Sequence, residues 1–341
     1  MTFILMQNPV HRTMKKGISA GMTKVLITGV NGFVGKTLGD KLVTKGFNVN
    51  GAVRSSVPVD FPDTITKFVI KDIDSKTDWQ KALEGVDVVI HLAARAHVMN
   101  DTAIDALAEF RRVNVEGTLN LARQAVDAGV QRFIFISSIK VNGEGTLLEQ
   151  LYTAEDQPAP VDPYGISKRE AEDALRQLAS ETGMEVVIIR PPLIYGPGVK
   201  ANFQSMIRCL DKGFPLPLGA IHNQRSLVAL DNLIDLIVTC IHHPAAANQI
   251  FIAGDGEDLS TPELLQRMAA ALGKKAWLMP VPEFLLVWGA RLSGKQAMAQ
   301  RLCGSLQVDI SKARDLLDWK PSVNVDEALR KTAQYYLKFQ K

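Results

Sequence analysis

Cysteine is scarce in this chain of 341 residues, which contains only Cys209, Cys240 and Cys303. An odd number at wide spacings fits neither a disulfide framework nor a cysteine-rich zinc site, so we expect reduced thiols in a cytoplasm. The six histidines form a single cluster, His242-His243, and no nearby cysteine or carboxylate pattern completes a metal site. We therefore predict no metal.

Long apolar runs and an excess of one charge are missing as well. No stretch could insert into a membrane as a span, and the apolar run 3–6 is too short for a signal peptide. The 39 Lys and Arg against 36 Asp and Glu leave a net charge of +3, without a basic cluster, which argues against a nucleic-acid partner. Residues 1–21 carry no pattern typical of a fold. We expect a disordered or mis-assigned leader there, with Met14 or Met22 as alternative starts.

Short apolar strands alternate with helical patterns from Lys24 to Arg190. Continuous rather than alternating hydrophobicity is typical of a sheet covered on both faces, and the strand–helix order gives right-handed crossovers. We therefore predict the α/β class with a doubly wound parallel sheet. The predicted strands are 24–29, 48–54, 67–70, 86–93, 132–138 and 184–190, and the predicted helices are 33–46, 103–128 and 164–182.

After Pro191 this alternation stops. We predict that residues 22–192, with 231–253 returning to them, form a nucleotide-binding domain. Residues 193–230 and 254–341 are predicted to form a smaller mixed α/β C-terminal lobe. Sheets of this type bind ligands beyond the carboxyl ends of their strands, so this substrate lobe is expected to close that side. Its predicted helices lie near 202–212, 231–242, 261–272 and 311–318.

The motif TGVNGFVG, residues 28–35, follows the first strand and opens the first helix, which is the context that a phosphate-binding loop requires. Gly29 permits the sharp turn, Gly32 lets the backbone approach a pyrophosphate, and Gly35 lets the helix pack on the strand. The alternative is that the glycines serve only a tight turn. The cofactor contacts predicted from this motif are Gly29, Asn31, Gly32, Phe33, Val34 and Gly35.

The second strand ends in GAVRSS, with Arg54 and no carboxylate. NAD sites usually place an acidic residue there to take the ribose hydroxyls. An arginine followed by two serines suits a 2′-phosphate, so NADP(H) is favoured over NAD(H). The alternative is that Arg54 stacks on adenine or faces solvent.

Tyr164 and Lys168 stand four residues apart in PYGISK, so their side chains share one face of a helix. An ammonium beside a phenol favours the phenolate, and we expect the tyrosine to exchange a proton near neutral pH. With the glycine loop upstream, the pair indicates a nicotinamide oxidoreductase. The alternative is an ordinary amphipathic helix start.

From Lys24 to about Leu329 the chain resembles the extended short-chain dehydrogenase/reductases of the nucleotide-sugar epimerase/dehydratase family, which have a Rossmann fold. The segments that carry the resemblance are TGVNGFVG, KDI (71–73), HLAA (91–94), VNVEGT (113–118), ISS (136–138), PYGISK and RPPLIYGPG (190–198). In that family the Asp-Ile pair meets the adenine, HLAA lines the pyrophosphate and nicotinamide ribose, and the backbone after the sixth strand meets the nicotinamide. The cofactor contacts that this implies are Asp72, Ile73, Leu92, Ala93, Ala94 and either Pro191 or Pro192.

The same resemblance implies a catalytic set of Ser138, Tyr164 and Lys168, with Ser137 as the competing serine. The tyrosine would exchange a sugar proton while a hydride moves, the lysine would lower the pKa of the phenol and bind the ribose, and the serine would orient the substrate oxygen. We interpret His91 as a hydrogen-bonded core residue and Asn114 as a brace of the active-site backbone.

One family activity is excluded and two remain. The 4,6-dehydratases carry an Asp-Glu pair after the serine, where this chain has Ile139 and Lys140, so elimination lacks its proton carriers. A 4-ketoreductase of a UDP-hexose or UDP-N-acetylhexosamine in surface polysaccharide biosynthesis is favoured, because Arg54 points to NADPH. A UDP-sugar C4-epimerase with tightly bound NAD is the alternative. A non-catalytic dinucleotide-sensing regulator is a remote third, since such proteins typically lose the Tyr-Lys pair.

The resemblance also implies a UDP-sugar substrate and a homodimer. Asn202, Arg225 and Arg301 are the expected substrate contacts, because guanidinium forks match diphosphate oxygens. Ser226-Leu227 departs from the Asp-Phe or Asp-Tyr of many relatives. Family members commonly dimerise through the two long helices, here 103–128 and 164–182, although packing on the sheet explains their apolar positions equally well.

Overall fold

The computed structural model describes residues 23–54, 64–96, 105–292, 294 and 296–339. The expected leader 1–21, the two serines after Arg54 and the first residues of the predicted helix 103–128 lie outside this range. The chain forms an α/β fold built on one large sheet. A second apolar core, with a three-stranded sheet, forms in the C-terminal half of the chain, and we call it the smaller lobe.

Seven parallel strands form the large sheet, as the continuous apolar runs predict. The strands of the described residues are β1 (Lys24–Thr28), β2 (Asn48–Arg54), β3 (Ile65–Ile70), β4 (Val88–His91), β5 (Arg132–Ile136), β6 (Leu151–Tyr152), β7 (Glu185–Arg190), β8 (Leu193–Tyr195), β9 (Arg225–Ala229), β10 (Ile250–Ile252), β11 (Asp258–Leu259) and β12 (Gln307–Val308). The large sheet has the order β10-β7-β5-β4-β1-β2-β3. The chain therefore winds outward in both directions from β1, and the crevice between β1 and β4 is the switch point where such sheets bind ligands.

Helices cover both faces of this sheet. They are α1 (Phe33–Thr44), α2 (Gln80–Leu83), α3 (Ala106–Arg111), α4 (Thr118–Asp127), α5 (Pro163–Thr182), α6 (Ala201–Asp211), α7 (Leu230–His242), α8 (Thr261–Ala271), α9 (Glu283–Leu292), α10 (Gln296–Cys303), α11 (Ser311–Leu317) and α12 (Val325–Phe339). One apolar cluster joins the sheet to α1 and α7, and another joins it to α4 and α5. Burial of both faces explains why the strands are apolar throughout.

The long helix predicted over 103–128 is broken by a π-helical segment, Arg112–Gly117, between α3 and α4. Such insertions shift the register of a helix and often occur at functional sites. Gly117 is required at this position, because an added Cβ would lie 2.9 Å from the backbone carbon of Ile73. The same segment carries the buried side chain of Asn114.

The smaller lobe is built on a mixed sheet with the order β11-β9-β8. Its core joins β9 to α6, α8 and α12. The strand β12 pairs in parallel with β6, and Thr146 bridges to Ser305, so the segment after β5 is joined to the C-terminal part of the chain. No helix within the described ranges is both long and apolar enough to cross a membrane.

Candidate active site

The glycine turn between β1 and α1 has the geometry of a phosphate-binding loop. Gly29 has a φ of +69° and an added Cβ would meet Ala93 N at 3.0 Å, while a Cβ on Gly35 would lie 2.2 Å from Gly29 O. Gly32 is the N-cap of α1 and, within the described residues, no side chain caps this helix. The N–H groups of its first turn are thus available to an anion, so the turn fits the pyrophosphate of a dinucleotide. Asn31 is exposed in this turn, and Phe33 and Val34 pack on the adjoining core.

The ends of β2 and β3 place Arg54 close to Asp72. Arg54 is exposed and lies opposite Ile70 in the parallel pairing of the two strands. The Asp72 carboxylate accepts hydrogen bonds from Ile73 N at 2.8 Å and from Arg112 Nη1 at 3.0 Å. Burial opposes ionisation, but these hydrogen bonds and the charges of Arg112 and Arg54 hold the pKa of Asp72 below its ordinary value. The sequence prediction for Arg54 overlooked this nearby carboxylate.

The loop after β4 is braced against the π segment. Leu92, Ala93 and Ala94 are half-buried there. Asn114 Oδ1 accepts from Arg95 N at 2.8 Å, and its Nδ2 donates to Arg95 O at 3.1 Å and to Ser167 Oγ at 3.0 Å. Asn114 therefore ties this loop to α5, in the bracing role that we expected.

His91 is a buried structural residue. Its Nδ1 lies 2.6 Å from Thr28 Oγ1, its Nε2 lies 2.9 Å from Thr118 Oγ1, and its ring stacks on Phe135. Burial and the charge of Lys168 lower the pKa of His91 to about 3. The imidazole is therefore neutral at physiological pH and joins β1, β4 and α4.

Ser138, Tyr164 and Lys168 meet at the carboxyl end of β5. Ser138 follows β5 and caps a short 3₁₀ helix, Ile139–Val141. Tyr164 lies in the first turn of α5, whose N-cap Asp162 accepts from Gly165 N at 2.7 Å. Ser138 lies near enough to the Tyr164 phenol to lower its pKa. The three predicted catalytic residues thus lie on adjoining elements at the carboxyl edge of the sheet, where such sheets bind their ligands.

The proton affinities of this group differ from what the sequence indicates. Burial raises the pKa of Tyr164 to about 12, Asp162 adds to the rise, and Ser138 opposes it. Burial lowers the pKa of Lys168 to about 7, against the opposing charge of Glu172. Lys168 Nζ lies 3.9 Å from the centroid of the Phe135 ring, and desolvation at this place outweighs the effect that its charge was expected to have on the phenol.

A buried ion pair behind Lys168 was not predicted. Glu172, one turn after Lys168, binds the Arg190 guanidinium through Nε at 3.0 Å, and both side chains are 2% exposed. Ser137 Oγ donates to the same carboxylate, and Arg190 Nη1 donates to Asn142 Oδ1 at 3.0 Å. Ser137, the competing serine, is thereby engaged in structure. The available signal was an acidic residue on the Tyr164–Lys168 face of α5 and an arginine that ends an apolar strand.

The two positions after Ser138, where the sequence comparison with dehydratases expects an acid–base pair, hold Ile139 and Lys140 in structural contacts. Ile139 is buried in an apolar cluster with Leu306 and Val308, and its N–H donates to Pro191 O at 3.0 Å. Lys140 pairs with Asp162 and with Glu144 at 3.2 Å. Neither side chain can shuttle protons as a carboxyl pair would.

Two of the three predicted substrate contacts lie close together in the lobe. Arg225 is half-buried and donates to Gly304 O at 2.9 Å. The acceptor Gly304 directly follows α10, which carries Arg301, and burial and the charge of Arg301 lower the pKa of Arg225. Two neighbouring guanidinium groups are an arrangement suited to a diphosphate. Asn202 is exposed at the second position of α6.

Ser226, where many relatives have an aspartate, has a structural contact instead. Its hydroxyl donates to Asp258 and accepts from Val308 N at 2.9 Å. This serine holds β9, β11 and β12 together.

The motifs and geometry agree with known proteins. A model of the NAD dependent epimerase/dehydratase family matches residues 25–254. The chain belongs to this family. It is 51% identical over 315 residues to a UDP-glucose 4-epimerase of Vibrio cholerae, covering 92% of this chain and 95% of the relative.

Other members are more distant. The chain is 28% identical over 326 residues to an N-acetyl-α-D-glucosaminyl-diphospho-ditrans,octacis-undecaprenol 4-epimerase of Escherichia coli O157:H7, covering 91% of this chain and 94% of that one. The crystal structure of Thermotoga maritima UDP-glucose 4-epimerase with UDP-glucose superposes with a TM-score of 0.74 at 22% identity, over 94% of this chain and 100% of the other. The protein is therefore an NAD(P)-dependent enzyme of the extended short-chain dehydrogenase/reductase type.

Proposed function

We propose that this family member is a UDP-hexose 4-epimerase. The observation that carries the proposal is the 51% identity to the Vibrio cholerae UDP-glucose 4-epimerase over nearly the full length of both chains. It favours epimerisation over the 4-ketoreductase that Arg54 had favoured at the sequence level. The site is consistent with this, since it combines Ser138, Tyr164 and Lys168 with an isoleucine and a lysine where a dehydratase needs two acids.

The chain's own residues account for the proton transfers of this reaction. Tyr164, as the phenolate, takes the proton of the C4 hydroxyl, and Ser138 donates a hydrogen bond to the same oxygen. After the keto-sugar has rotated so that its opposite face points towards the cofactor site, Tyr164 returns the proton to that oxygen. An oxidised nicotinamide bound at the glycine loop would supply the acceptor of the C4 hydride and, for the return step, its donor, together with a positive charge that favours the phenolate. Lys168 and Glu172 keep a titratable cation beside this proton carrier.

We propose NAD rather than NADP as the cofactor. The ionised Asp72 beside Arg54 makes the end of β2 less favourable for a 2′-phosphate than the arginine alone indicated. Retention of the cofactor through the reaction cycle agrees with this choice, because epimerisation needs no net supply of reductant.

Arg225 and Arg301 are the proposed diphosphate contacts of a UDP-sugar. They approach one another although like charges repel, and Arg225 has a lowered pKa. A diphosphate between them would relieve both the repulsion and the burial cost. Asn202 in the first turn of α6 is retained as a proposed contact through the helix terminus.

The homodimer through the two long helices stays a prediction. Leu121 of α4 and Leu175 of α5 pack on the sheet, while Arg111 and Glu170 form an ion pair of 2.6 Å across the exposed side. Sedimentation equilibrium of the wild type and of an Arg111→Glu variant tests it. A monomeric wild type would contradict the prediction.

The deciding experiment is to denature the purified protein and identify the released nucleotide by mass spectrometry, then to assay conversion of UDP-galactose to UDP-glucose. We expect near-stoichiometric NAD and turnover without added cofactor. Absence of bound nucleotide together with NADPH oxidation by a UDP-4-keto sugar would replace the epimerase by the ketoreductase.

A further inference from the structure

The helix α9 presents an apolar surface to solvent. Phe284, Trp288 and Leu292 are 69%, 63% and 71% exposed, and Leu285 is exposed beside them. Their spacing places all four within about 100° of the helix circumference. The half-buried Leu286, Val287 and Ala290 lie on the other side. The outward face of this helix is therefore as apolar as the side that packs on the protein.

The extended segment before α9 also exposes large apolar side chains. Trp277 is 66% exposed and Met279 is 45% exposed, whereas Leu278 between them packs on the core of the lobe. Hydrogen bonds fix the segment, from Leu216 N to Trp277 O at 2.8 Å and from Met279 N to Leu216 O at 2.8 Å. We call Trp277, Met279, Phe284, Leu285, Trp288 and Leu292 the aromatic patch. A rigid backbone thus holds two tryptophans outward.

Exposed cations and one exposed carboxylate lie within or beside the sequence range of the aromatic patch. Residues 274–292 contain three basic side chains, Lys274, Lys275 and Arg291, and one acidic side chain, Glu283. Lys275 and Arg291 are exposed, while Lys274 Nζ binds Asp211 at 2.6 Å. Tryptophan and phenylalanine mixed with lysine and arginine are the composition of helices that lie in the interface of an anionic bilayer.

The length of α9 argues for a bilayer rather than a second copy of the chain. Its ten residues extend about 15 Å, so this helix alone would not bury the roughly 800 Å² per partner of a stable protein interface. The same length is too short to span a membrane. An interfacial helix has no such minimum, because its affinity grows with each buried side chain and each nearby cation.

We propose that the aromatic patch docks the enzyme on the surface of an anionic lipid bilayer. The helix α9 lies flat, with Phe284 and Trp288 in the acyl boundary and Arg291 and Lys275 at the headgroups. The helix α10, which packs against α9, carries Arg301. Docking therefore places this arginine, a proposed diphosphate contact, one helix away from the membrane surface.

Co-sedimentation of the full chain with vesicles tests the proposal without any sugar substrate, so the result is independent of the epimerase assignment. We expect binding to vesicles of phosphatidylcholine mixed with phosphatidylglycerol, weaker binding to phosphatidylcholine alone, and a decrease with salt. The double variant Phe284→Ser, Trp288→Ser should bind at least about tenfold more weakly. The matched control is Leu316→Ser, an exposed apolar residue on α11, which should bind like the wild type.

A second pair of variants isolates the charge. Lys275→Glu with Arg291→Glu should weaken binding to the anionic vesicles by about tenfold and leave the weak binding to neutral vesicles unchanged. Lys320→Glu with Arg330→Glu, exposed cations elsewhere on the chain, is the control. Thermal unfolding checks that each variant is folded.

Two outcomes would overturn the proposal. One is a wild type that sediments with neither kind of vesicle, or equally with and without Phe284 and Trp288. The other is a wild type that is dimeric in solution and becomes monomeric in the serine variant without binding vesicles, which would assign the aromatic patch to a second copy of the chain.

Discussion

The Tyr164 phenol is the proton carrier of the proposed reaction, and the nearby Lys140 is held in ion pairs with Asp162 and Glu144. Tyr164→Phe removes the hydroxyl and keeps the ring that contacts Phe110. We expect kcat to fall by about 10²–10⁴-fold with unchanged nucleotide content. The measurement is steady-state turnover of the UDP-sugar. Tyr335→Phe, on the exposed side of α12, is the control, and near-normal turnover of the Tyr164 variant would refute the assignment.

His91 makes stability depend on pH in acid solution. Its pKa is lowered to about 3 in the folded protein from 6.5, so the unfolded chain takes up a proton first as pH falls. Stability is then lost below pH 6.5, by about 2 kcal/mol at about pH 5. Urea unfolding of the wild type and of His91→Gln, at neutral pH and at about pH 5, measures this loss of stability. The variant should be less stable at neutral pH and show a flatter pH dependence; equal slopes would show that His91 does not cause it.

The residues of the site differ in how well the sequence predicts them. The glycine loop, Tyr164 and Lys168 have fixed spacings that a short motif reveals. The Glu172–Arg190 pair has no such motif, because an acidic residue in a helix usually faces solvent and only the fold shows that it is buried. The sequence predicts a low pKa for Tyr164, and this prediction differs from the structure. A spacing of four residues cannot show the desolvation that raises the pKa.

The turn from β1 into α1 has no space for a side chain at Gly35. In Gly35→Ala the new Cβ would meet Gly29 O at 2.2 Å and Val30 Cα at 2.7 Å, and backbone atoms cannot move away as a flexible side chain can. We expect a loss of at least about 2 kcal/mol of unfolding free energy and loss of bound nucleotide. Denaturant unfolding and nucleotide analysis are the measurements.

The matched control is Gly289→Ala in α9, where an added Cβ meets no atom within 4 Å. Alanine at such a helical position should raise stability by about 0.4–1 kcal/mol. A Gly35 variant that is as stable as this one and keeps its nucleotide would contradict the packing argument.

Periodicity predicts the strands and long helices of the sheet because each has a buried side with a simple repeat. It does not predict the π segment at 112–117, because the residues of this segment follow an ordinary helical pattern and the close approach of Ile73 to Gly117 is visible only in the fold. The helices α9, α10 and α12 also escaped prediction. For α9 the cause is its apolar residues on all sides, which give no clear amphipathic repeat.

Substrate binding should depend on the two neighbouring arginines of the smaller lobe, Arg225 and Arg301. Arg225→Met removes a charge-assisted donor, worth about 1.5–3 kcal/mol, and we expect KM for the UDP-sugar to rise by roughly 10- to 100-fold with a smaller change in kcat. Arg267→Met is the control, because this lobe arginine is paired with Glu257 at 2.7 Å. An unchanged KM for the Arg225 variant would remove it from the site.

The pairing of β6 with β12 limits which segments of such an enzyme can be exchanged between family members. The segment that follows Ser138 contributes Ile139 to a cluster with Leu306 and Val308, and Thr146 bridges to Ser305. A chimera that exchanges only the C-terminal part for that of another member would lose these contacts and disturb the residue next to Ser138, the proposed catalytic serine. An exchange of the smaller lobe between family members therefore has to include residues 139–152 of the same parent protein.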